Sequence, residues 1–184
     1  DSSTSRGLGD VYKRQVHLME EQCDVAVRIG DLPDSSLKAL QVGTVRRVVC
    51  ASPHYLQTHG EPTTPQALTD HSCITFEVLS SVGAWVFGAG KAQQTVPVHS
   101  RLSVNTAEAA ITAATLGVGV IRVLSYQVAD AVQKGDLQVV LQPYESAALP
   151  ISLVHKGQAP LPLKVRAFLD FVTPRLRVRD ANIP

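Results

Sequence analysis

Short apolar blocks alternate with polar breaks along the chain, and the spacing within the blocks switches between that of strands and that of helices. The run from Asp24 to Gly30 has the length and composition of a buried strand. Residues 41–51 (QVGTVRRVVCA) are rich in β-branched side chains and predict one continuous strand. The segments CITFEV, VGVIRVL, LQVVL and ISLVHK follow the same pattern further along. Strands are therefore expected throughout the sequence.

Two short helices are predicted after the second of these strands. Ser52 can cap free N–H groups, Pro53 suits the first helical position, and Gly60 can take a left-handed stop. Thr64 and Pro65 repeat the same start. A third short helix is expected just ahead of the Asp24 strand, where three apolar residues have helical spacing. These are Val16, Leu18 and Met19.

Longer helices follow in the second half of the chain. Asn105 and Glu108 form a capping-box-like pair ahead of the Ala-rich segment TAEAAITAATL, which ends at Gly117. Ser125 is placed to cap YQVADAVQK. Pro174 is expected to end or kink the last helix. Four apolar residues of that helix recur at helical spacing: Val165, Phe168, Leu169 and Val172.

A hairpin is predicted between the two groups of helices. AWVFGAGK and QTVPVHSRLSV are expected to pair about Gly88 and Gly90. The second arm alternates apolar and polar residues, which predicts an antiparallel strand with one wet face, and Pro97 implies an edge or a bulge. Because strands and helices alternate so regularly, the predicted class is α/β.

Composition and charge restrict the kind of protein. The chain is 45% hydrophobic and 18% charged, with 17 basic against 16 acidic residues. This segment therefore lacks the excess of positive charge that would indicate DNA binding. No apolar run reaches the ~20 residues that span a bilayer, and no signal-peptide pattern is present. A soluble cytoplasmic protein is expected. Residues 1–15 lack periodicity and are interpreted as a disordered or non-native leader.

The cysteines and histidines show no metal or redox motif. The chain has an odd number of cysteines, and they are far apart and form no C-x-x-C pair: Cys23, Cys50 and Cys73. This pattern favours free thiols in a reducing cytoplasm. The six histidines do not have strong zinc-ligand spacing and are interpreted as solvated surface side chains. We therefore expect no metal site and no cofactor.

Signatures of catalysis are also absent from the sequence. Gly117 and Gly119 begin a dinucleotide-like pattern, but Arg122 occupies the position of its third glycine. The chain has no P-loop and no G-x-S-x-G elbow. These absences weigh against an enzyme.

Five segments, taken together and in this order, carry a family resemblance. They are DVAVRIGDLPDSSL, RRVVCASPHYLQTHGEPTTPQAL, NTAEAAITAATLGVGVIRVLSYQVADAV, GDLQVVL and LKVRAFLDFV. Over residues 16–178 the chain resembles the effector-binding domain of LysR-type transcription regulators.

The resemblance implies a two-lobed fold of the type II periplasmic-binding-protein kind, with mixed sheets, two hinge crossovers and a small effector held between the lobes. Residues 16–42 and 150–178 would form lobe I, residues 43–149 lobe II, and residues 179–184 a tail. A complete member has a strand, a helix and a second strand ahead of residue 16, and before them a linker helix and a winged helix-turn-helix. Lobe I is therefore expected to be incomplete.

The resemblance and the chemistry of α/β folds together select six candidate ligand contacts. Ligands gather at the carboxyl ends of strands, where helix N-termini present free donors. The candidates are Val27, Ile29, Gly30, Phe76, Asn105 and Thr106.

Each candidate has a purely structural alternative. Val27 and Ile29 are equally compatible with core packing, Gly30 with a turn and Phe76 with a core aromatic. Asn105 and Thr106 are also explained as a helix cap, which base rates favour. We set Arg28 and Arg122 aside, because an arginine in or beside a strand is more often exposed or salt-bridged within the fold.

The leading hypothesis is a cytoplasmic sensor of a small metabolite, with an organic anion as first choice, that forms homo-oligomers and reaches DNA only through the absent N-terminal domain. An extracytoplasmic solute-binding protein of a transporter is the alternative that shares the fold. An enzyme on the same scaffold would need a reactive constellation that the sequence does not show.

Overall fold

The computed structural model describes residues 23–32, 37–76, 83–157 and 160–180. The predicted leader and the predicted helix at Val16, Leu18 and Met19 lie outside these ranges. The chain divides into two compact units. The first unit contains the described residues up to Thr44 and those from Leu149 to Asp180, and the second unit runs from Val45 to Ala148.

The first unit is a three-stranded sheet with one helix. Its strands are β1 (Val25–Ile29), β2 (Leu37–Val45) and β10 (Leu149–Lys156), in the order β1-β10-β2, and its helix is α4 (Leu163–Asp180). β1 and β10 are antiparallel. Apolar side chains at helical spacing on α4 pack on this sheet, with Val165 and Leu169 buried beside Leu153 of β10.

The second unit contains a mixed five-stranded sheet and a hairpin. The sheet strands are β3 (Arg47–Ala51), β4 (Ser72–Phe76), β7 (His99–Val104), β8 (Val120–Leu124) and β9 (Gln138–Val140), in the order β7-β4-β8-β3-β9. β4 is parallel to β7 and β8, whereas β3 is antiparallel to β8 and β9. The hairpin pairs β5 (Ala84–Phe87) with β6 (Gln94–Pro97). The predicted α/β class and mixed sheets are confirmed.

The two faces of the five-stranded sheet carry separate cores. On one face, helices α2 (Ala107–Thr115) and α3 (Ser125–Lys134) cover Val48, Cys50 and Ile121. On the other face, α1 (Pro53–His59) and the hairpin cover Val49, Cys73 and Val120. Trp85 and Phe87 of β5 and Tyr55 of α1 are among the largest fully buried side chains.

In the part of the chain that the structure describes, no helix combines the length and the apolar character needed to cross a bilayer.

The predicted start of α1 is confirmed. Ser52 accepts a hydrogen bond from the Tyr55 N–H at 3.2 Å, and Pro53 is the first helical residue. The helix ends before Gly60 as predicted, but Gly60 does not take the left-handed helical conformation, because its φ of 83° is combined with a ψ of 159°. Thr64 makes no capping hydrogen bond through its side chain, and the helix after it, Pro65–Asp70, is a 3₁₀ helix.

The prediction of one strand over residues 41–51 is wrong, because the chain changes sheets at Arg46. Arg46 uses its backbone to pair with the start of α3: the Ser125 N–H donates to the Arg46 carbonyl at 2.9 Å, and the Arg46 N–H donates to Ser125 Oγ at 3.4 Å. β2 therefore ends at Val45 and β3 begins at Arg47. Ser125 is the first residue of α3 and not its predicted cap.

The second arm of the predicted hairpin is also split. Pro97 has no N–H to donate, and the Val98 N–H donates to the Gly83 carbonyl at 2.9 Å. The chain then enters the five-stranded sheet as β7, which runs parallel to β4. The prediction of antiparallel pairing is thus confirmed for β6 and wrong for β7.

The start and end of two helices also differ from expectation. Thr106 caps α2, since its Oγ1 accepts from the Ala109 N–H at 3.2 Å, so the predicted Asn105–Glu108 capping pair is wrong by one residue. Pro174 does not end α4, which continues to Asp180. Pro174 lies inside this helix and removes one backbone hydrogen bond, because proline has no N–H to donate.

Candidate functional site

One edge of the five-stranded sheet collects the chain segments most suited to bind a ligand. The parallel strands β4, β7 and β8 all end at this edge, and the antiparallel strand β3 begins there. Phe76, the last residue of β4, is in register with Val104, the last residue of β7. Asn105 and Thr106 follow directly. Three of the six predicted residues are therefore brought to one edge of the second unit.

The N-terminus of α2 lies at this edge. Asn105 and Thr106 are exposed, and the Thr106 hydroxyl already accepts a hydrogen bond from the first turn. A helix N-terminus presents unpaired N–H groups and a partial positive charge, which favour an anion. The capping role of Thr106 satisfies only one of these N–H groups.

The other three predicted residues belong to the first unit. Val27 and Ile29 of β1 are 57% and 39% exposed, which contradicts the alternative that they are ordinary core residues. Gly30 has a φ of 102°, and its N–H donates to the Pro150 carbonyl at 2.9 Å, which fits the turn expected of it. β1 thus ends beside the beginning of β10.

An arginine that was set aside at the sequence level is central to the second unit. Arg122 lies in the middle of β8, half-buried, and its Nη2 donates to the Val86 carbonyl and to Ser146 Oγ, the latter at 3.2 Å. Its guanidinium carbon is 5.2 Å from the centre of the Phe87 ring. Arg122 is therefore neither exposed nor salt-bridged to a carboxylate of the described residues. A charged residue within the apolar string VIRVL was the signal that could have selected it.

Arg46 forms the other notable arginine contact of this unit. Its Nη1 lies 3.1 Å from Glu145 Oε2, and the Glu145 side chain is only 12% exposed. The pair joins the residue at which the chain leaves β2 to the segment that precedes β10. Arg46 also borders a cavity of about 410 Å³ between α3 and the β3–β9 side of the sheet. Among the described residues that line this cavity, Arg46 is the one charged side chain, and Glu145 already neutralises it, so the cavity is a poor anion site.

His71 departs from the predicted surface histidines. It is 8% exposed, and its Nδ1 lies 3.2 Å from the Tyr55 hydroxyl. Burial lowers the pKa of His71, and the nearby His59 lowers it further, whereas Asp70 opposes the change. The sequence offered no sign of this, because burial depends on α1 packing against the turn before β4.

The cysteines in the described residues are free. Cys23 is exposed, and Cys50 and Cys73 are buried. Burial raises the pKa of both inner thiols to about 12, and Glu145 adds to the effect at Cys50. Within the described ranges, no group of three or more His, Cys, Asp or Glu side chains is placed to hold a metal ion.

Comparison with known proteins gives one consistent result. Residues 10–177 match the family model described as the LysR substrate binding domain. The chain is 31% identical over 172 residues to the uncharacterized HTH-type transcriptional regulator YhjC of Escherichia coli K12, covering 88% of this chain and 54% of that protein. It is 30% identical over 165 residues to the HTH-type transcriptional activator TtdR of the same strain, covering 89% and 53%.

Solved structures agree with the sequence relatives. The regulatory domain of CrgA, a LysR-type transcriptional regulator from Neisseria meningitidis, superposes with a TM-score of 0.74 at 27% identity, covering 88% of this chain and 79% of that one. The regulatory domain of AphB from Vibrio vulnificus gives 0.69 at 27% identity, covering 81% and 74%. This chain spans about half the length of the curated relatives it matches. It belongs to the LysR substrate binding domain family.

Proposed function

We propose that this chain is the effector-sensing part of a cytoplasmic bacterial LysR-type transcription regulator, and that it binds a small organic anion. The observation that carries the proposal is the family match over residues 10–177, together with relatives that are named as HTH-type transcriptional regulators. Those names also disfavour the transporter alternative and an enzymatic role.

The choice of an anion rests on the second unit. The edge formed by Phe76, Asn105 and Thr106 carries the N-terminus of α2, and Arg122 is held inside the same sheet without a carboxylate partner among the described residues. Helix N-termini and guanidinium groups both favour negative charge. Val27, Ile29 and Gly30 are proposed as ligand contacts of the first unit, supported by the exposure of the two apolar side chains.

The partners follow from the same family membership. DNA would be bound by a helix-turn-helix domain outside this chain, and the assembled regulator would be a homo-oligomer. Effector binding would then shift the population of conformations that the oligomer adopts on DNA. No cofactor is assigned to the proposed sensing function.

A ligand screen on the 184-residue chain tests the sensor proposal. Thermal unfolding is followed with carboxylates, neutral molecules and amines of similar size, and saturable stabilisation by a carboxylate is expected. Stabilisation only by neutral or cationic compounds would refute the proposal that the effector is an anion. The regulator proposal has its own test: the parent gene must encode a helix-turn-helix upstream of this domain, and its absence would remove the proposal.

A further inference from the structure

Arg122 is held by neutral partners on the sheet face that carries α1 and the hairpin. Its Cα is paired with that of Val49 across β3 and β8, and Val49 and Val120 belong to the core on that face. The Val86 carbonyl, Ser146 Oγ and the Phe87 ring surround the guanidinium. These contacts explain its position, but none of them supplies a negative charge.

A second arginine lies on the same face of the same two strands. Arg47 is two residues before Val49 in β3, and side chains two apart in a strand point to the same side. The Nε of Arg47 is buried and has no hydrogen-bond partner. Desolvation, followed by the charge of Arg47, lowers the pKa of Arg122 to about 10. The positive charge of Arg47 therefore acts on the Arg122 guanidinium.

Two neighbouring positive charges destabilise the folded state unless a negative charge compensates them. A buried charge without a counter-charge is destabilising, and a second like charge adds to the cost. The acidic side chain nearest in sequence to Ser146 is Glu145, and it is committed to Arg46 at 3.1 Å. The described residues supply no other carboxylate to Arg47 or Arg122. A merely structural role accounts for Arg122 but leaves the unpaired Nε of Arg47 unexplained.

The two arginines also lie in a suitable position to bind a ligand. Arg47 begins β3 at the edge where β4, β7 and β8 end, which is the edge that carries Phe76 and Thr106. An arginine fork presents parallel N–H groups that match the two oxygens of a planar carboxylate. Arg47 and Arg122 therefore offer guanidinium donors for one oxyanion group on the face that they share.

We propose that Arg47 and Arg122 together bind the carboxylate of the effector. This inference rests on the proposed function and names the residues that would select an organic acid over its neutral analogue. The shared chemistry is that of an oxyanion, and a free inorganic oxyanion is separated from an organic acid by the test.

The experiment measures anion binding by the 184-residue chain and three variants. The probes are acetate, succinate, benzoate and citrate, together with sulfate, phosphate and the neutral amides of the first three acids, all at one ionic strength set with chloride. Thermal shift ranks the probes, and titration calorimetry gives Kd for those that stabilise. Arg47→Gln removes one charge without removing any hydrogen bond seen in the structure, Arg122→Lys keeps the charge but loses the fork, and Arg101→Gln is the control, since Arg101 is exposed on β7 of the same unit.

At least one carboxylate is expected to give a saturable rise in Tm that its amide does not give. Arg47→Gln and Arg122→Lys should each weaken that binding by about tenfold or more, the usual effect of losing a hydrogen bond to a charged group. Arg101→Gln should bind as the unaltered chain does. Should Arg122→Lys fail to fold, Arg47→Gln alone decides.

The inference is overturned if no carboxylate binds, if either arginine variant folds and retains the original Kd, or if sulfate or phosphate binds as tightly as every carboxylate. A neutral ligand that binds equally to all four proteins would refute the arginine site but would remain consistent with the proposed sensor function. A parent gene without a helix-turn-helix would remove the regulator function and leave measured carboxylate binding intact.

Discussion

The Tyr55 hydroxyl and the Nδ1 atom of His71 lie 3.2 Å apart in the core of the second unit. The same hydroxyl accepts a hydrogen bond from the Ser72 N–H at 3.0 Å, and the His59 ring stacks on the Tyr55 ring with centroids 4.2 Å apart. Because the hydroxyl accepts from Ser72, its own proton is free to go to Nδ1. The network therefore fits a neutral His71 protonated on Nε2.

Tyr55→Phe should destabilise the protein by about 1–3 kcal/mol, the cost of leaving buried polar groups without partners. The Ser72 N–H and His71 Nδ1 would both lose the phenol oxygen. Urea unfolding followed by fluorescence measures the free energy change. Tyr126→Phe is the matched control because Tyr126 is 47% exposed, and it should change stability by less than about 0.5 kcal/mol. Equal stability of the two variants would show that the network contributes nothing.

His71 should make the protein less stable in mild acid. Burial and His59 lower the pKa of His71 below its ordinary 6.5, and Asp70 opposes them, so the folded state binds this proton less readily than the unfolded state. The full contribution is present above pH 6.5 and is lost as the pH falls through the lowered value. Tm is measured between pH 7.5 and 5 for the unaltered chain and for His71→Gln, whose amide oxygen can still accept from Tyr55. The variant should show a weaker decrease in Tm; parallel curves would assign the acid sensitivity to groups other than His71.

Thr106→Ala should cost about 0.5–2 kcal/mol, because its hydroxyl satisfies the Ala109 N–H at the start of α2. Asn105→Ala separates the observed cap from the capping pair expected from sequence, and should change stability by less than about 0.5 kcal/mol. Chemical denaturation of both variants decides the matter. A larger loss for Asn105→Ala would restore the sequence-based assignment.

The elements of this fold were predictable where the local signal agreed with the tertiary structure. Ser52, Pro53 and Gly60 fix α1 through backbone chemistry that operates within a few residues, and the strands at Val25–Ile29 and Val120–Leu124 are marked by their apolar composition. The residues at which a strand ends and the chain enters another sheet were not predictable from the local pattern. Arg46 and Val98 end a strand because distant groups, Ser125 and Gly83, bind their backbones.

The site was predictable in part for the same reason. Ends of parallel strands meet at one edge, so the grouping of Phe76 with Asn105 and Thr106 follows from the order of the elements. The placement of Arg47 and Arg122 on one face of the sheet depends on the register of β3 against β8, which no pattern within either strand reveals. An arginine in a strand is more often exposed or salt-bridged within the fold, which disfavoured Arg122 as a ligand contact. Only its surroundings show that the described residues give it no counter-charge.

The thiols should differ sharply in reactivity. The thiolate is the reactive form, and Cys50 and Cys73 are buried with a pKa of about 12, whereas Cys23 is exposed. A disulfide reagent added to the native protein at pH 8 should modify one thiol quickly and all three after denaturation. Cys23→Ser should abolish the fast phase. A fast phase that survives in this variant would mean that the core around β3 or β4 opens on the timescale of the assay.

Gly119→Ala should be one of the most damaging single-methyl changes in the second unit. A Cβ at Gly119 would lie 2.3 Å from the Ser72 carbonyl oxygen, which belongs to the backbone of the neighbouring strand and cannot rotate away. The strands β4 and β8 would have to separate next to the Cys73–Val120 pair, and overpacking of this kind costs about 1–3 kcal/mol, with this site at the upper end. Gly135→Ala is the control, because its Cβ would meet open space and only its left-handed φ of 78° opposes the change. Thermal and urea unfolding should rank Gly119→Ala below Gly135→Ala; the reverse order would mean that the two strands are not in the close contact seen here.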